Sequence, residues 1–157
     1  MDKAAIYIET SLVSYLATRP SRDIIVAAHQ QLTSDWWDNH RHHYDLFISQ
    51  VVLDEARAGD KQEAAKRLAA IQDLPLLEIN EDAIQLAESL VQSNAVPKKA
   101  AQDALHIAIA CINGMDYLLT WNCKHIANAK MRSKIDKVCR GAGYAPPIIC
   151  TPEELEE

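Results

Sequence analysis

No apolar run in the chain approaches the roughly 20 residues that a membrane-spanning helix needs. The opening MDKAAIYIE is too short an apolar stretch for a secretory signal, so the sequence predicts a cytoplasmic protein with no membrane partner. Glycine is scarce, at four residues, which argues against a repetitive or disordered chain. The four cysteines (Cys111, Cys123, Cys139, Cys150) contain no CxxC pair, as expected of reduced thiols rather than a disulfide framework or structural zinc site. GxxxxGK[ST], GxGxxG, HExxH and GxSxG are all missing, so P-loop, Rossmann, zincin and α/β-hydrolase readings lack their carriers. Positive charge is also short. A net charge of −6 excludes coating nucleic acid through bulk electrostatics, and a phosphate polymer would have to be met by a local basic patch or a bound cation.

What remains is an ordinary soluble composition in a chain of 157 residues, enough for one domain spanning 1–157. Short β-branched runs at 5–8, 45–49, 76–79, 117–120 and 148–150 alternate with helical patterns, the signature of βα units. The pattern predicts an α/β three-layer sandwich around a central, mainly parallel sheet of four to five strands. Helices are expected over 24–39, over 50–70 with a break near AGD, after an Asn80 N-cap, up to a Gly114 C-cap, and over most of 122–140. A short last helix follows the Thr151-Pro152-Glu153-Glu154 cap.

In parallel sheets the ligand crevice lies beyond the carboxyl ends of the strands, so acids at those ends carry most information. Glu9 ends the apolar run AAIYI. Read alone, it is an acid at a helix N-terminus, favoured by the macrodipole. Asp103 opens the alanine-rich stretch QDALHIAIA and shares a face with Ile107 and Ala110. Glu55 follows the second strand on a face with Val51 and Val52, and Asn122 follows the fourth, where it also reads as a helix cap. Burying unpaired carboxylates is costly, and like charges raise each other's pKa. A divalent cation with hard oxygen ligands, Mg²⁺ or Mn²⁺, resolves the conflict.

IYIETS, SQVVLDEA, QDALHIAIA and LLTWN, in this order and on these elements, resemble the PIN-domain nucleases, in particular the VapC-like toxin ribonucleases of toxin-antitoxin pairs. Two positions depart from the family pattern, Glu9 for the usual Asp and Asn122 for the common Asp. The resemblance implies a Mg²⁺-dependent (or Mn²⁺-dependent) endoribonuclease with Glu9, Asp103 and Glu55 at the metal and Asn122 positioning a water or ligand. It also implies an RNA substrate, a protein antitoxin and a homodimer. Thr10 and Ser11 are expected to hold the carboxylates or contact phosphate. Arg19 and Lys124 are expected to contact RNA, with Arg22, Lys98, Lys99, Lys130, Arg132 and Lys134 as further cations. The alternative is a PIN-like module that has lost turnover and binds RNA or protein. His106 and His125 read as core-facing or capping residues, and His40, His42 and His43 as a polar surface.

Overall fold

Five residues, Ala4–Ile8, form β1, and the run AAIYI shows why this strand lies at the centre of the molecule: apolar and aromatic side chains alternate to both faces, and Ile6, Tyr7 and Ile8 are all buried. The computed structural model describes residues 2–156. β1 pairs in parallel with β2 (Tyr44–Phe47) on one side and with β3 (Tyr117–Leu119) on the other, and β3 pairs with β4 (Ile148–Cys150). The order is therefore β2-β1-β3-β4, all parallel, with registers Ile6 on Leu46 and Ile8 on Leu119.

Helices flank this sheet. Between β1 and β2 lie α1 (Thr10–Ala17) and α2 (Ile24–Asn39). Between β2 and β3 come α3 (Gln50–Ala56), α4 (Lys61–Ile71), α5 (Glu81–Gln92) and α6 (Ala101–Ile112). α7 (Ala129–Gly141) joins β3 to β4. Helices α1 to α4 pack among themselves, and α5 packs on α6 and α7, giving helical layers around an α/β sheet. Among the described residues no helix is long and apolar enough to cross a membrane. All four cysteines are free, with Cys111, Cys139 and Cys150 buried; burial pushes the Cys150 thiol up to about 12.

Caps set several boundaries. Asn80 accepts from Ala83 N at 3.0 Å and starts α5. α6 ends with Gly114 at φ +68°, where Gly114 N donates to Cys111 O and Met115 N to Ala110 O, a Schellman closure. Thr151 and Glu154 form the expected capping box, on a short 3₁₀ turn, Pro152–Leu155.

Two expected elements are corrected. The strand at 76–79 shrinks to one parallel bridge, Ile48 to Leu76. Pro75 before it has no N–H and offers only its carbonyl, to Ile48 N at 3.0 Å, and Leu76 is half exposed, so no ladder propagates. The helix expected over most of 122–140 begins only at Ala129, because Asn128 caps it through Lys130 N and residues 121–128 close instead as turns on the Asn122 carbonyl.

Leu118 is fully buried in β3 and belongs to the same core cluster as Ile6, Ile8 and Ile107. Leu118→Ala is expected to cost about 2–5 kcal/mol, read as a lower urea midpoint at unchanged slope.

Candidate metal centre

Strand order reverses direction between β1 and β3, the point where parallel sheets open a crevice beyond their carboxyl ends. Glu9 and Thr120 are the first residues past those two strands, and Glu9 N donates to Leu119 O at 3.1 Å. Glu9 is buried, with only 5% of the residue exposed. Its Oε1 accepts from Ser11 Oγ and from Thr120 Oγ1, both at 2.5 Å, and its Oε2 accepts from Ser11 N at 3.1 Å. Glu9 is therefore the N-cap of α1 and a buried acid at the crevice at once.

Glu55 comes from α3 and is half-buried. Its Oε1 accepts from Thr10 Oγ1 at 2.5 Å and from His106 Nε2 at 2.6 Å, while Oε2 accepts no hydrogen bond among the described residues. His106, on α6, is fully buried. Its Nδ1 lies 2.7 Å from the Tyr7 hydroxyl, which lies 2.8 Å from Ser49 Oγ. Ser49 precedes α3 but makes no side-chain cap bond; its hydroxyl serves Tyr7 instead.

Ligand atoms of Glu9, Glu55 and His106 lie within 4.8 Å of one another. Donors bound to one ion at about 2.0–2.1 Å sit ~3–4 Å apart, so two carboxylates and an imidazole within 4.8 Å of one another could hold a divalent cation after a small inward shift of the side chains. Asp103 is not in that triad. It stands one turn before His106 on α6, with Oδ2 3.2 Å from His125 Nδ1. Asn122 turns its Oδ1 to His125 N at 3.1 Å, and its own N–H donates to Thr120 Oγ1. Of the residues predicted from sequence, the structure thus brings Glu9 and Glu55 together, with Thr10 and Ser11 as their hydroxyl partners, and sets Asp103 and Asn122 beside them around His125. Arg19 is 82% exposed and reaches Glu63 at 3.8 Å rather than the acids. Lys124 is exposed on the loop between Asn122 and His125.

The residues that sequence reasoning passed over are His106, Tyr7, Ser49 and Thr120. Faint signals existed: Tyr7 is two residues before Glu9, hence on the same strand face, and His106 is three after Asp103, hence on a neighbouring helix face. Aromatic rings border the same edge. Trp121 N donates to Ser11 Oγ at 2.8 Å, and its indole stacks on His29 at 4.1 Å between centroids.

Titration in the triad follows from this geometry. For His106, burial opposes the charged ring, but the bond to Glu55 and the fields of Glu9, Glu55 and Asp103 outweigh it and hold the imidazole above its ordinary value. For Glu55, burial pushes up, while the His106 bond and charge and the Thr10 hydroxyl more than offset it and hold the carboxyl below the usual range. Burial pushes the Tyr7 phenol far up, so it stays neutral.

Compared with protein-family models and with curated proteins, the chain matches none.

The signs of these shifts set a pH window for the metal-free protein. The raised His106 value adds stability that is complete below 6.5 and lost as pH rises through the folded value. The lowered Glu55 value adds stability that is complete above 4.5 and lost as pH falls through the folded value. Urea unfolding in EDTA is expected to show both contributions in full between 4.5 and 6.5. In His106→Gln the decline on the alkaline side should shrink; an unchanged profile would refute the pairing.

Proposed function

We infer that the chain is a divalent-metal-dependent endoribonuclease built on a PIN-like domain, with Mg²⁺ or Mn²⁺ as its cation. The observation that carries this reading is the convergence of Glu9, Glu55 and His106 at the carboxyl edge, where β1 and β3 diverge into α1 and the Trp121 loop. The order of the four sequence motifs supports it, as does a net charge of −6 that leaves phosphate recognition to a local cation.

Glu9 and Glu55 would hold the ion, with His106 at their side. Bound there, a divalent cation lowers the pKa of its water and neutralises charge on the phosphoryl oxygens during phosphodiester hydrolysis. The protein's own groups do the rest. Ser11 and Thr120 fix the Glu9 carboxylate, and Thr10 fixes Glu55, so these hydroxyls orient acids and leave phosphate to other groups. Asp103 stands half-buried on α6 beside His125 and would orient the hydrated ion or the attacking water through its second oxygen, which accepts no hydrogen bond among the described residues. Asn122 holds the loop that carries Lys124, which with Lys98 and Lys99 would meet RNA phosphates. By resemblance, the products carry a 5′-phosphate and a 3′-hydroxyl, and the protein is a cytoplasmic homodimeric toxin held by a protein antitoxin.

One observation favours a second reading, an RNA- or protein-binding module without turnover. Each acid already has an internal partner: two hydroxyls on Glu9 Oε1, Thr10 and His106 on Glu55, and His125 on Asp103.

Incubation of the purified chain and an Asp103→Ala variant with single-stranded and structured RNA, in Mg²⁺, Mn²⁺ or EDTA, decides between them. The nuclease reading expects cleavage that EDTA abolishes and that Asp103→Ala lowers by roughly 10²-fold or more. Cleavage surviving both would sink the metal reading. RNA retained without cleavage in any metal would establish the binding module.

A further inference from the structure

The site differs from an all-carboxylate cage in one donor, and that donor is fully buried with both ring nitrogens hydrogen-bonded. We propose that His106 is a metal ligand through Nε2, and that it makes the site select a first-row transition ion over Mg²⁺. This inference rests on the metal-dependent reading above and sharpens its choice of cation.

A ring nitrogen of His106 lies within 4.8 Å of carboxylate oxygens on both Glu9 and Glu55; Nδ1 is held by Tyr7, and Nε2 is the nitrogen 2.6 Å from Glu55 Oε1. The ring is fully buried, and its other nitrogen is held by Tyr7 at 2.7 Å, itself held by Ser49 at 2.8 Å. Metal-bound histidines characteristically have such a partner on the second nitrogen, which fixes ring orientation and tautomer. Tyr7 and Ser49 are also buried, so no water competes for that nitrogen.

The two hydroxyls can each donate or accept, so the chain can run in either direction. In one tautomer of the neutral ring, Nε2–H donates to Glu55, Nδ1 accepts from Tyr7, and Tyr7 accepts from Ser49. Reversed, Nδ1–H donates to Tyr7, Tyr7 donates to Ser49, and the Nε2 lone pair faces the two carboxylates. Both states of the neutral ring hold the same number of protons. Glu55 Oε2, which accepts nothing among the described residues, then stands as the second donor and Glu9 Oε2, with one hydrogen bond, as the third. Mg²⁺ prefers oxygen ligands and keeps its waters, whereas imidazole suits the transition series, in which affinity rises from Mn²⁺ to Cu²⁺ and falls back at Zn²⁺. Mn²⁺ is the weakest of that series and so the most stringent probe.

The test uses the full-length chain stripped with EDTA, in the absence of RNA. Calorimetric titration should show Mn²⁺ binding at least about tenfold more tightly than Mg²⁺. Pulsed electron paramagnetic resonance of the Mn²⁺ complex should show ¹⁴N modulation that changes to the ¹⁵N pattern when histidine is isotopically labelled, and that persists in His125→Ala. Tyr7→Phe should weaken Mn²⁺ by ~10–100-fold and shift Mg²⁺ far less. Because His106→Gln alters a fully buried position, the isotopic measurement on the unaltered chain is the decisive one. No nitrogen coupling, coupling lost in His125→Ala, or equal affinity for the two ions would each overturn the assignment. Nitrogen-coupled Mn²⁺ without RNA cleavage would uphold the ligand and remove the ribonuclease reading. Mg²⁺-supported cleavage without nitrogen coupling would do the reverse.

Discussion

A carboxylate on a residue only 5% exposed needs strong partners, and the way Glu9 finds them ties the molecule together. Its three hydrogen bonds come from the first turn of α1 and from Thr120, the residue just past β3. The same two elements are joined by the Glu9 N to Leu119 O bond, and the loop beyond is anchored by Trp121 N on Ser11 Oγ. Backbone pairing in the sheet and solvation of the acid are thus satisfied by one set of atoms. Removing the acid would leave two hydroxyls and a helix N-terminus without their acceptor.

The second constraint is the His106 and Glu55 pair, which spans α6 and α3 and draws β1 in through Tyr7. Each member alone would be expensive inside the protein; together, with Thr10 and Ser49 completing their bonds, they form a connected polar network in an apolar surround. The network also explains why Ser49 forgoes its ordinary capping role at the start of α3.

Much of this was legible in the sequence. β1 and β4 stand out as apolar runs, α2 shows amphipathic spacing and α5 its Asn80 cap, and Glu9 and Glu55 were identifiable as acids at strand exits. The misses have physical causes. The stretch 76–79 is rich in leucine and isoleucine, but Pro75 and one-sided exposure leave it a single bridge, which no local propensity reveals. Residues 122–128 look helical, yet two asparagines compete for the backbone and Asn128 delays the helix. His106 was hidden because a histidine in an apolar helix is ordinarily a core residue, and only the fold shows that its two neighbours are Glu55 and Tyr7. Long-range pairing is the part that periodicity cannot supply.

That long range carries its own consequence for how the chain becomes itself. Glu9 and Thr120 are 111 positions apart, and β1 has its partner β3 only after six intervening α-helices and β2 have been made. On a ribosome adding about 5–20 residues per second, the acid therefore spends seconds in water before any strand or hydroxyl can enclose it. Whatever this centre does, a nascent chain that has not yet reached Thr120 cannot do it: the fold completes the centre only once the third strand has been made.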